Sequence, residues 1–122
     1  ALTELDREPD LTATPALQAL AARARGEVAA ACGDAAAGMK HLRTALRLWL
    51  SAEAPLPAAQ TRCRIADLLQ SLGDAESAHL ELDAAVTAFE LAGADGLLRQ
   101  CERLKSALAA RRAASPSRAP AC

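Results

Sequence analysis

Gly33-Asp34 and Gly73-Asp74 stand forty residues apart, and the residues around them keep the same register: Pro15 with Pro55, Ala35 with Ala75, Leu42 with Leu82, Ala45 with Ala85, Trp49 with Phe89. A repeat of this period marks stacked helical units, each a helix, a tight turn and a second helix. One such unit cannot cover its own apolar face and hides it against the next. The register therefore predicts an all-α, right-handed α-solenoid of antiparallel helical hairpins. It holds about two full repeats, a partial N-terminal helix and a C-terminal capping helix. A single repeat domain would cover residues 1–112, and 113–122, with two prolines and nothing to bury, reads as a disordered tail or linker.

Composition narrows the function. Fourteen basic and fifteen acidic residues leave a net charge of −1, too little for a field that attracts nucleic acid or anionic lipid. Trp49 and Phe89 are the only aromatic residues, so a platform for stacking bases is not expected. The most apolar stretch, Val28 to Met39, is interrupted by Asp34, and no run is long enough to span a bilayer. The chain opens at Ala1 without a basic-then-apolar leader and reads as a piece of something longer, located in the cytoplasm. Cys32, Cys63, Cys101 and Cys122 are spread too widely for a metal knuckle or a redox pair close in sequence. Cys32 and Cys101 fall on apolar seams and are expected as buried, reduced thiols.

Along the chain, residues 1–8 look like the end of a helix, with Leu2 in register with Leu42 and Leu82. Thr14-Pro15 restarts the chain, the hydroxyl capping free amides and the proline filling the first turn. The helix runs to about Cys32, where Gly33 supplies a left-handed residue and Asp34 caps the next helix. That helix places Gly38, Leu42, Ala45, Leu46 and Trp49 on one face. Ser51 to Pro57 is the expected connector. Ile65, Ala66, Leu69 and Leu72 point inward in the next helix, and Ala78, Leu82, Ala85, Val86 and Phe89 in the one after it. A last helix, about Leu97 to Arg111, carries Leu97, Cys101, Leu104 and Leu108 on one seam.

No arrangement of catalytic type emerges. The two Gly-Asp turns open helices with free amides, but an Asp already sits on those amides and repels phosphate. His41 and His79 occupy non-equivalent repeat positions, and His79 with Asp83 forms an ordinary helix-surface pair. No Ser-His-Asp set, paired carboxylates or phosphate loop is present. The chain is expected to have no enzyme activity, cofactor or metal. Basic residues on one helix (Lys40, Arg43, Arg47) and acidic residues on another (Glu76, Glu81, Asp83, Glu90) read as solvated faces of opposite sign set side by side.

Gly26, Gly38, Leu42 and Ala45 in the first unit, and Ala66, Ala78, Leu82 and Ala85 in the second, fall at the small and apolar positions of the tetratricopeptide signature, which the chain resembles. Ala22, Arg62, Ala29 and Leu69 replace its early bulky residues, and its usual period is 34. A narrower likeness rests on Ala24-Arg25-Gly26-Glu27-Val28-Ala29, on Gln60 to Ala66 leading to Leu72-Gly73-Asp74, and on Leu80 to Ala85 with Phe89-Glu90. Over roughly residues 14–108 these look like the helical repeats of large LuxR-type bacterial transcriptional regulators. The resemblance implies a protein-interaction or signal-coupling module. Alternatives are a freestanding adaptor, or a regulatory segment of a nucleotide cyclase or ATPase. It also implies a concave groove for a protein or peptide, lined by Leu20, Arg23, Glu27, Gln60, Cys63, Asp67 and Gln70 and continued by Gln100 and Arg103. Sequence-specific nucleic-acid binding and membrane attachment are not expected of it. Leu2 and Leu5 at one end, and Leu97, Leu98, Leu104 and Leu108 on a final helix lacking a following unit, suggest an apolar face left open at an end and hence a homodimer.

Overall fold

The computed structural model describes residues 14–114, with side chains as far as residue 110. Those residues form five α-helices and no strand: α1 Pro15–Ala31, α2 Ala35–Ser51, α3 Pro55–Ser71, α4 Ala75–Ala92 and α5 Asp95–Ala114. Successive helices start twenty residues apart, so the forty-residue register is two helices long. The segments 1–13 and 115–122, including the expected N-terminal half-helix and most of the expected tail, lie outside the described residues.

One device stops each of the first four helices. A left-handed residue follows the helix end: Gly33 (φ 85°), Glu53 (φ 55°), Gly73 (φ 87°) and Gly93 (φ 69°). Its amide donates three residues back and the next amide donates five back, the paired bonds of a Schellman turn. In the first turn these are Gly33 to Ala30 (3.0 Å) and Asp34 to Ala29 (2.9 Å); in the third, Gly73 to Gln70 (3.0 Å) and Asp74 to Leu69 (2.9 Å). The chain then restarts at once. The carboxylates of Asp34 and Asp74 accept from the amides of Ala37 (3.2 Å) and Ser77 (3.1 Å), and the Thr14 hydroxyl accepts from Leu17 (3.2 Å). α3 has no side-chain cap and begins directly on Pro55. Pro55 and Pro57 thus belong to the first turn of α3, where a missing amide hydrogen costs nothing, and the expected connector shrinks to residues 52–54.

α1 packs on α2 and α3 on α4 as hairpins; α2 then packs on α3 and α4 on α5, while α1 touches α3 and α3 touches α5. This packing is consistent with a helical repeat. Leu42, Ala45 and Trp49 in α2 are buried at the same register as Leu82, Ala85 and Phe89 in α4. The hairpins differ where their helices cross. A Cβ on Gly26 would lie 2.9 Å from Leu42 Cγ and 3.1 Å from the Gly38 carbonyl oxygen, so the α1 and α2 backbones touch. The equivalent Ala66 and Ala78 carry methyl groups. Opposite charges do meet between helices: Glu81 of α4 accepts from Arg62 of α3 (2.9 Å) and Arg43 of α2 (3.5 Å), and Lys105 of α5 meets Asp83 of α4 (2.9 Å).

The two ends of the stack differ. Thr61, Ile65 and Leu68 of α3 are buried, and Leu68 reaches the position of Gly38 in α2; their register equivalents in α1, Ala21, Arg25 and Val28, are exposed. At the other end, Arg99 and Ser106 of α5 are exposed where α1 and α3 bury Ala19 and Ala59, and Gly26 and Ala66. The expected open apolar face on α5 is therefore not found. Leu108 is buried, and Leu97, Leu98 and Leu104 pack on the core. Cys32 and Leu72, expected inward, are exposed. Each is the last residue before the left-handed turn, where the helix has run past its neighbours.

Candidate functional site

The contacts of α1 with α3 and of α3 with α5 bring their side chains around one cleft of about 70 Å³. Arg23, Gln60, Arg64 and Gln100 supply its polar groups. Cys63, Cys101, Leu97, Leu104 and, from α4, Phe89 supply the rest of the lining. Gln60 and Gln100 are register equivalents on α3 and α5, so the repeat itself sets two side-chain amides along the same side.

Glu27 fixes α1 to α3 at this cleft. One of its oxygens accepts from Arg23 Nε (2.8 Å) and from Arg64 Nε (3.1 Å). The Arg23 hydrogen bond, with the charges of both arginines behind it and burial opposing, holds the Glu27 carboxyl below its ordinary range. Each guanidinium spends its Nε on this carboxylate and keeps its fork of terminal nitrogens outside that bond. Guanidinium forks bind carboxylates, amides both donate and accept, and the apolar lining accepts aliphatic groups.

Burial, reinforced by the neighbouring Cys101, pushes the Cys63 thiol up to about 12, so little thiolate forms near neutral pH. Among the described residues no three or more His, Cys, Asp or Glu side chains gather as they would around a metal ion.

Of the nine groove residues expected from the sequence, Arg23, Gln60, Cys63 and Gln100 line this cleft and Glu27 orders its rim. Leu20 is half exposed and Asp67 is exposed, both outside the cleft. Gln70 is buried, its Oε1 without a hydrogen-bond partner among the described residues. Arg103 lies with Arg99, Glu102 and Ser106 along a broad, shallow depression on α5. Sequence reasoning missed Arg64 and, apart from Cys63, the apolar lining. Arg64 lies one turn beyond Gln60, a spacing that puts both on one helix face and could have found it. The sequence marks Leu97, Cys101 and Leu104 only as a packing seam.

No described helix is long and apolar enough to cross a membrane. Comparison with protein-family models, with curated proteins and with solved structures gave no match to this chain.

Proposed function

We propose that the chain is a right-handed, tetratricopeptide-like α-solenoid that works without catalysis as a protein-interaction or signal-coupling module of a bacterial transcriptional regulator in the cytoplasm. The observation that carries this reading is the cleft between α1, α3 and α5. Two guanidiniums and two register-equivalent glutamines surround an apolar lining, which suits an extended peptide or a partner segment bearing a carboxylate. The close crossing at Gly26 and Gly38 supports the tetratricopeptide likeness, because small residues at those positions are what that signature uses. With a net charge of −1 the chain has no sequence-specific duplex DNA binding of its own in this reading.

Peptide display against the intact chain tests it. Selected peptides should lose about tenfold or more in affinity on Arg64→Ala or Gln60→Ala, a change of about 1.4 kcal/mol, and nothing on Arg47→Ala, which lies exposed on α2. Peptides insensitive to the cleft variants but weakened by Arg47→Ala would refute the site. The regulator assignment is tested separately by the coding sequence beyond Cys122. A DNA-reading domain there supports it, whereas a cyclase or ATPase module supports the alternative.

A further inference from the structure

Cys63 on α3 and Cys101 on α5 are 38 residues apart in sequence, yet their sulfurs lie 3.8 Å from each other. Both side chains are buried and both line the cleft. The Cys63 thiol donates to Cys101 Sγ, and the Cys101 thiol donates to the carbonyl oxygen of Leu82 (3.7 Å). We infer that this pair is a redox modification site: a dithiol that hydrogen peroxide converts to an intramolecular disulfide, tying α3 to α5.

Closure requires the sulfurs to approach from 3.8 Å to about 2.05 Å, a movement that χ1 rotations of the two side chains can share. The cleft of about 70 Å³ that both thiols line admits a molecule as small as peroxide, given that a water occupies about 30 Å³ in the liquid. The hydrogen-bond order assigns the roles. Cys101 receives the Cys63 proton donor, so its thiolate is the better supported of the two and attacks first. A sulfur–oxygen bond forms, the peroxide bond breaks, and the departing oxygen leaves as water with the Cys101 proton. Cys63 then attacks the sulfenic sulfur. The sulfur–sulfur bond forms, the sulfur–oxygen bond breaks, and a second water leaves with the Cys63 proton. Two thiols and one peroxide give one disulfide and two waters; the sulfurs lose two electrons and the peroxide oxygens gain them.

The bond would enclose all of α4 and fix the angle between two helices that otherwise touch only lightly. Burial raises both thiols, Cys63 to about 12, so the reaction is slow at neutral pH. Its rate follows the thiolate fraction and rises nearly tenfold per unit of pH through the mildly alkaline range. This inference is independent of the partner-binding role proposed above.

The test uses the full chain with Cys32→Ser and Cys122→Ser, which removes the other thiols. After peroxide treatment of the folded protein and maleimide trapping in denaturant, the intact mass should fall by two hydrogens with no maleimide added. Proteolysis should return a Cys63–Cys101 linked peptide. The melting temperature should rise by about 10 °C or more, as loop closure of this length predicts, and return on reduction. Three results would overturn the inference: both thiols still alkylated under peroxide that oxidises Cys32 in the unaltered chain, oxidation of one sulfur to sulfinic acid without a link, or a link that forms only once the chain is unfolded.

Discussion

Gly26→Ala adds one methyl group to the middle of α1, and two effects of similar size oppose each other. Alanine is favoured over glycine in a helix interior by about 0.8–1.0 kcal/mol. Against this, the new Cβ would stand 2.9 Å from Leu42 Cγ and 3.1 Å from the Gly38 carbonyl oxygen. Neither atom yields easily. Leu42 Cγ is the branch point of a side chain only 2% exposed, and the oxygen belongs to the α2 backbone. Overpacking of a filled core costs about 1–3 kcal/mol, so the steric effect wins and the net change is a loss of about 1 kcal/mol. For a domain of this size that lowers the melting temperature by roughly 4–8 °C. Gly96→Ala is the control, because nothing lies within 4 Å of a Cβ there and the same chemistry should stabilise by about 0.4–1 kcal/mol. Urea unfolding followed by Trp49 fluorescence reads both, since this sole tryptophan is buried and should report loss of the α2 packing. If Gly26→Ala matched Gly96→Ala in stability, the α1–α2 contact distance would be wrong. In Gly26→Ala/Gly38→Ala the two methyls are relieved by the same small separation of the helices. The double variant should therefore lose less than the sum of the singles.

The remaining predictions concern the turns, the cleft rim and the open end. Glu53→Gly should stabilise by roughly 0.5–1 kcal/mol in urea unfolding, because Glu53 holds φ 55° where Gly93 holds the equivalent position without strain; unchanged or lower stability refutes this. The Glu27 carboxyl is lowered from 4.5 in the folded chain, so its contribution is present above that value and lost as pH falls through the lower folded value. Solvent screening keeps the effect below about 0.5 kcal/mol, and melting curves of the unaltered chain and Glu27→Gln taken down through the carboxylate range should converge in acid rather than run parallel. Self-association is proposed through α1, where Leu17, Leu20 and Val28 are each at least half exposed. Light scattering at tens of micromolar under reducing conditions should give a dimer that Val28→Glu dissociates; a monomer in the unaltered chain refutes it.

The turns were the most legible feature of the sequence because glycine followed by aspartate states its own geometry. Gly33 and Gly73 adopt nearly the same φ, make matching hydrogen bonds, and hand over to Asp34 and Asp74 as caps. Trp49 and Phe89 are buried at equivalent sites, as their shared register required. Glu53 was not legible as a left-handed turn, since glutamate carries no such preference, although its equivalent Gly93 does. Cys32 and Leu72 were misplaced because periodicity extends a stripe without saying where the neighbouring helix ends. The cleft was half legible. Gln60 and Gln100 follow from the repeat and Cys63 was expected in the groove, but its approach to Cys101 was not legible, because the two stand at different register positions.

The stack also has a direction. Each odd helix presents one face to the hairpin before it and another to its own partner, so the two ends expose different faces. A helix added as the partner of α5 would bury Arg99 where α1 and α3 bury Ala19 and Ala59, each at most 1% exposed. Taking an unpaired guanidinium out of water costs several kcal/mol, more than the alanine contacts it replaces can return. A helix set before α1 meets Ala21 and Val28, with only Arg25 opposing, and Arg25 can carry its charge to the edge along its aliphatic stem. Among the described residues, packing energy is therefore still to be gained at α1 and spent at α5. The cleft lies between these ends, held on one side by the Glu27 pair and on the other by a helix whose outer face already favours water.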